Sequence, residues 1–73
     1  MNPVTLIGYE NITAKDGRLF TKAYVVYDGE KVEGQACRDV FLTGHELKPE
    51  MVNTEVNLIF DIGSGKVIGI EAA

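Results

Sequence analysis

The sequence has little of what metal sites, disulfide frameworks and catalytic centres are built from. Of its 73 residues one is cysteine, Cys37, one is histidine, His45, and none is tryptophan. A lone cysteine excludes a disulfide within the chain. Two soft ligands fall short of the four that a closed zinc site takes. Nothing in their spacing brings the Cys37 thiol and the His45 imidazole within hydrogen-bond reach, so they make no nucleophile–base pair. Cys37, between Ala36 and Arg38 in an apolar run, reads as a small buried hydrophobe, and His45 as a solvated loop residue. Asp39 and Asp61 read as solubility groups rather than an acid–base pair. The run Gly63-Ser64-Gly65-Lys66 is too short for a phosphate loop and leads into VIGI, a strand rather than a helix. The expectation is a protein that is not an enzyme and takes no cofactor or metal.

Other absences bound its surroundings. No stretch approaches the roughly 20 apolar residues of a membrane span. The start, MNPVTLIGYEN, lacks the basic segment and long apolar core of a signal peptide. With one unpaired thiol, the chain suits a reducing cytoplasm. Basic residues are also scarce: seven Lys and Arg against eleven Asp and Glu, a net charge of −4. That argues against broad, charge-driven binding to duplex DNA or to an anionic membrane. The scarcity is uneven, because five of the seven cations, Lys15, Arg18, Lys22, Lys31 and Arg38, fall between residues 15 and 38. A local basic strip is still open to this chain.

What the sequence does have is glycine at regular intervals and alternating apolar runs between. Residues 1–73 make one domain, and a chain of this length buries only about 60% of its unfolded surface. With disulfide and zinc excluded, oligomerisation is the remaining support for so small a core. Asp16-Gly17 and Asp28-Gly29 read as tight hairpin turns, and Gly63-Ser64-Gly65 as a third. They divide the chain into strands over 3–13, 18–27, 31–43, 54–62 and 65–72. Gly8 and Gly34 mark a bulge or bend in the first and third strands. The segment 44–53, with Pro49 and no alternation, is a loop with room for one helical turn. In the fourth strand Val56, Leu58, Phe60 and Ile62 are expected to face inward. Three strands, an interruption and two more outline an all-β, five-stranded OB-like barrel, with an SH3-like small barrel as the alternative.

The second strand, in GRLFTKAYVVYDG (residues 17–29), lacks a plainly polar face. Leu19, Ala23 and Val25 can fill a small barrel, which leaves Phe20, Lys22 and Tyr24 on the other side. Aromatic rings stack on bases and nearby cations track phosphates, so this alternation suits a single strand of nucleic acid, DNA or RNA. Tyr9 on the first strand is expected to join the stacking residues. Arg18, Lys31 and Arg38, with Lys15, are candidates for phosphate contact. A second reading stays open: Phe20, Tyr24 and Val26 pack against a protein partner or a sister subunit.

The arrangement GRLFTKAYVVYDGEKVEGQACRDVFL followed by EVNLIFDIGSGKVIGIE resembles the small helix-destabilising, single-stranded-DNA-binding proteins of filamentous phages and their plasmid relatives. The resemblance spans residues 4–71 as a pattern of strands and aromatics. It implies an OB-fold homodimer from a phage or mobile element that coats single-stranded DNA during replication. The family's stacking and phosphate-contacting positions would fall on Arg18, Phe20, Lys22 and Tyr24, with Tyr9 beside them. This chain departs in two ways: it is acidic, and it has Asp28-Gly29 where the phage proteins extend a DNA-binding wing. Both departures imply weak or partner-dependent binding rather than tight coating.

Overall fold

Apolar residues at alternate positions build five strands in the computed structural model, which describes residues 3–44 and 47–73. They are β1 (Val4–Thr13), β2 (Leu19–Asp28), β3 (Gln35–Thr43), β4 (Thr54–Phe60) and β5 (Val67–Ala72), with a single 3-10 turn at Pro49–Met51. Among the described residues no helix is long and apolar enough to cross a membrane. His45, expected in a solvated loop, lies outside the described residues.

The strands form one antiparallel sheet in the order β3-β2-β1-β4-β5. Three strands run as a meander and the fourth returns to lie beside the first, which is a Greek key. Asn53 ties this return: its backbone N–H donates to the Leu6 carbonyl at 2.6 Å. The Greek key distinguishes an OB-like barrel from the other small barrel considered. Curling brings the two edges, β3 and β5, within 8 Å between Cα atoms. They share no ladder among the described residues, so the barrel stops short of closure.

The core is aliphatic: Val4 and Leu6, Ala23 and Val25, Val40 and Leu42, Val56 and Leu58, Ile70, and Leu47 from the loop before the 3-10 turn. Burying a side chain such as Leu or Val is worth roughly 1.5–3 kcal/mol each relative to exposure. Thr21 is the one polar residue in that interior among those described. Its hydroxyl is satisfied by donating to Asn11 Oδ1 at 2.9 Å.

Four features differ from the sequence expectation, each for a local reason. The turns are longer than two residues. At the first, Gly17 N–H donates to the Ala14 carbonyl and Ala14 N–H to the Arg18 carbonyl. Gly17 takes the left-handed φ of 88°, while Asp16 avoids positive φ, as a side chain with a Cβ prefers. At the second, Asp28 likewise avoids positive φ, Gly34 supplies it at 86°, and β3 starts at Gln35 instead of residue 31. Leu19 parts from the expected core because it sits at the last pair of the ladder, opposite Thr13 and beyond the core, 53% exposed. Phe60 and Ile62 are also outside: the β4–β5 register slips after Ile59, and Ile62 falls in the turn. Finally, Cys37 is exposed. Residues 37–39 are all solvent-facing, since only Val40 and Leu42 of β3 reach the core.

Leu47 fills the core where no strand does, so Leu47→Ala should lower stability in urea unfolding by about 2–5 kcal/mol. A loss below about 1 kcal/mol would show that this loop does not cap the barrel.

Candidate nucleic-acid interface

β2 sets the site because its two faces have different neighbours. Thr21, Ala23 and Val25 are buried, which turns Phe20, Lys22 and Tyr24 outward. Antiparallel pairing then lays β3 alongside: Thr43 opposite Phe20, Phe41 opposite Lys22, Asp39 opposite Tyr24. Directly opposed residues share a face, so Phe41 joins the outer row. Its ring centroid is 5.5 Å from that of Phe20, with the planes tilted by 42°. Phe41 is 56% exposed and Tyr24 39%, so two separate aromatic surfaces are open to a ligand.

Cations alternate with these rings. The Arg18 guanidinium lies 5.6 Å from the Phe20 centroid, and the Lys22 ammonium 5.6 Å from the Tyr24 centroid. Both cations also have carboxylate partners. Arg18 Nε donates to Asp16 Oδ2 at 2.7 Å, and Lys22 Nζ stands 3.8 Å from Asp39 Oδ2. Exposed pairs of this kind are worth at most about 1 kcal/mol. A phosphate can therefore replace either carboxylate at small cost.

The other expected residues fall elsewhere. Tyr9 is a correction: it lies opposite Ala23 and packs against the core. The cause is the β1 bulge, which the sequence marks at Gly8. Leu6 pairs with Val25 and Gly8 with Tyr24, so Ile7 is the extra residue. Before it the even-numbered residues face inward; after it the odd ones do, and Tyr9 turns with them. Arg38 lies opposite buried Val25, on the inner side by strand parity, yet it is exposed where β3 runs past the core. It borders a groove with Lys22 and Tyr24. Lys31 is exposed in the 29–34 loop, at the end of the β2–β3 hairpin remote from Phe20. Lys15, with Arg18, is exposed in the 14–18 turn at the Phe20 end.

Two contributors were missed by sequence reasoning. Phe41 could have been found by pairing β2 with β3 residue by residue. Lys66 could not, because its approach to Arg38, Asp39 and Phe41 along a groove depends on how far the sheet curls. The loop that carries Lys66 is stiffened by Asp61, whose Oδ2 accepts from the Ser64 hydroxyl at 2.8 Å and the Ser64 N–H at 3.2 Å. Those bonds occupy donors that a phosphate loop would offer its ligand, in keeping with a hairpin turn.

The Ser64 hydroxyl bond, opposed by desolvation and helped to a smaller extent by the backbone N–H groups of Ser64 and Gly63, holds the Asp61 carboxyl below its ordinary value of 3.8. A carboxylate with a depressed folded-state pKa stabilises above its unfolded value, and that contribution is lost as pH falls through the folded value. The Ser64 amide resonance should therefore shift with a midpoint below 3.8, and Asp61→Asn should abolish that titration. A midpoint at or above the ordinary value would contradict this account of the turn.

Set against known proteins, the chain matches no family model, no curated protein and no solved structure.

Proposed function

We propose that this protein binds single-stranded nucleic acid on the outer face of β2 and β3. The observation that carries the proposal is the placing of cations beside rings along that face: Lys22 by the exposed Tyr24, and the exposed Phe41 against a half-buried Phe20 that Arg18 borders. Bases stack on the rings and phosphates meet Lys22 between them, as base-tolerant binding of a single strand requires. This is also the surface on which OB barrels hold oligonucleotides. Duplex DNA is a poor fit, since its bases are not free to stack and the chain's net charge of −4 repels it. Binding is weak at physiological salt, because few cations face the strand and their hold on phosphates falls as salt rises. No step of this function calls for bond-making chemistry.

The other reading, a protein-docking face, would use the same rings, since aromatic residues and Arg also anchor protein interfaces. Ile62 and Ile68, the aliphatic residues most exposed, lie in the β4–β5 turn and on β5. The centre of the β2 outer face sets a cation beside its exposed ring, which suits a strand that alternates phosphates with bases.

Fluorescence anisotropy with labelled oligo-dT and oligo-rU at low and moderate salt tests the proposal. Binding should weaken with salt, and Phe20→Ala with Tyr24→Ala should cost roughly 1–3 kcal/mol per lost stack. No binding at tens of micromolar protein in low salt would overturn the reading. A second outcome is less common for a binding face: Asp39→Asn should strengthen binding, by releasing Lys22 and removing a repelling charge. An unchanged or weaker affinity would show that Lys22 does not meet phosphate.

A further inference from the structure

Three shallow grooves adjoin on this side of the barrel. The first is bordered by Lys22, Tyr24, Arg38 and Asp39; the second by Arg38, Asp39, Phe41 and Lys66; the third by Phe41, Lys66 and Ile68. Each shares residues with the next, so together they make one trough. It runs from β2 across β3 into the unclosed seam beside β5. Phe41 stands where the second and third grooves meet, open to both.

The charge of this trough differs from that of the protein. Among the described residues its border holds three cations, Lys22, Arg38 and Lys66, and one carboxylate, Asp39. The chain as a whole has eleven acids to seven bases. A concave, locally positive path on an acidic molecule focuses an anionic chain onto itself and repels it elsewhere. Thr43 also borders the third groove, where the cations end.

We infer that the bound strand crosses β3 and enters the β3–β5 seam, instead of following β2 from Arg18 to Tyr24. This rests on the reading of the β2–β3 face as the binding site. It gives the strand a defined track, with Lys22, Arg38 and Lys66 meeting successive phosphates and Tyr24 and Phe41 stacking bases between them. The occupant is a single-stranded oligonucleotide. Its phosphates complement the three cations, and its bases make use of two rings that an inorganic polyanion would leave bare. The seam left open by β3 and β5 acquires a purpose: it admits the strand that a closed ladder would exclude.

Two substitutions separate the two paths. Both side chains are exposed, and the backbone bonds at Lys66 survive replacement by alanine. For a single strand, log affinity falls against log salt with a slope of about −0.7 per phosphate contact, so three contacts give roughly −2. Lys66→Ala should reduce the slope of oligo-dT binding to roughly −1.4 and lower affinity about eightfold at about 50 mM salt relative to 1 M. Arg18→Ala should reduce the slope less than Lys66→Ala does, and Lys48→Ala, at an exposed cation away from this face, should leave it unchanged. An unchanged slope in Lys66→Ala, with a loss in Arg18→Ala, would overturn the crossing path and leave single-strand binding standing. Failure of the unsubstituted protein to bind would instead remove the binding reading itself. Thermal unfolding of each variant at the unsubstituted temperature excludes misfolding as the cause.

Discussion

The burial of Ala23 and Val25, both fully enclosed, is the constraint on which the rest depends. It fixes which side of β2 is wet. A one-residue slip would bring Lys22 and Tyr24 into the core and expose Val25, a change no small aliphatic interior could accommodate. With that register held, the outer row on β3 follows by pairing. The Phe20–Phe41 contact, the Lys22–Asp39 pair and the exposure of Tyr24 are all consequences of where Ala23 sits.

Local alternation carried much of this into the sequence. The two faces of β2 could be read directly, as could the all-β class and the interruption between the third and fourth strands. What could not be read depends on events that shift alternation. The bulge at Ile7 exchanges the faces of β1, and Tyr9 turns inward with them. The slip after Ile59 spoils the period that would bury Phe60. Leu47 enters the core from an aperiodic loop, where no pattern announces it. Cys37 looked like a core residue because its neighbours are apolar, yet β3 reaches the core only from Val40 onward. Lys66 belongs to the trough through curvature, a property of the whole sheet.

Net charge is a coarse guide to this surface. A value of −4 describes the average surface and says little of one path over it. The cations of the β2–β3 side are interleaved with rings and partly held by Asp16 and Asp39. On the proposed reading, such a surface would bind by stacking with modest electrostatic help, and should discriminate unpaired bases from duplex more than a basic surface does. The unclosed edge belongs to the same scheme. An exposed strand edge invites pairing with other chains, and β3 carries Arg38 and Asp39 along it, charges that discourage such pairing.

The central claim is that the ligand face is the side of β2 and β3 that Ala23 and Val25 turn outward, extended into the β3–β5 seam. Backbone amide shifts of the labelled protein, followed by NMR as oligo-dT is added, test this most directly. The account predicts changes concentrated at Lys22, Tyr24, Arg38, Phe41 and the 61–66 turn, with Tyr9, Val56 and Leu58 little affected. Changes centred on the solvent side of β4 and β5, around Asn57 and Glu71, would contradict it.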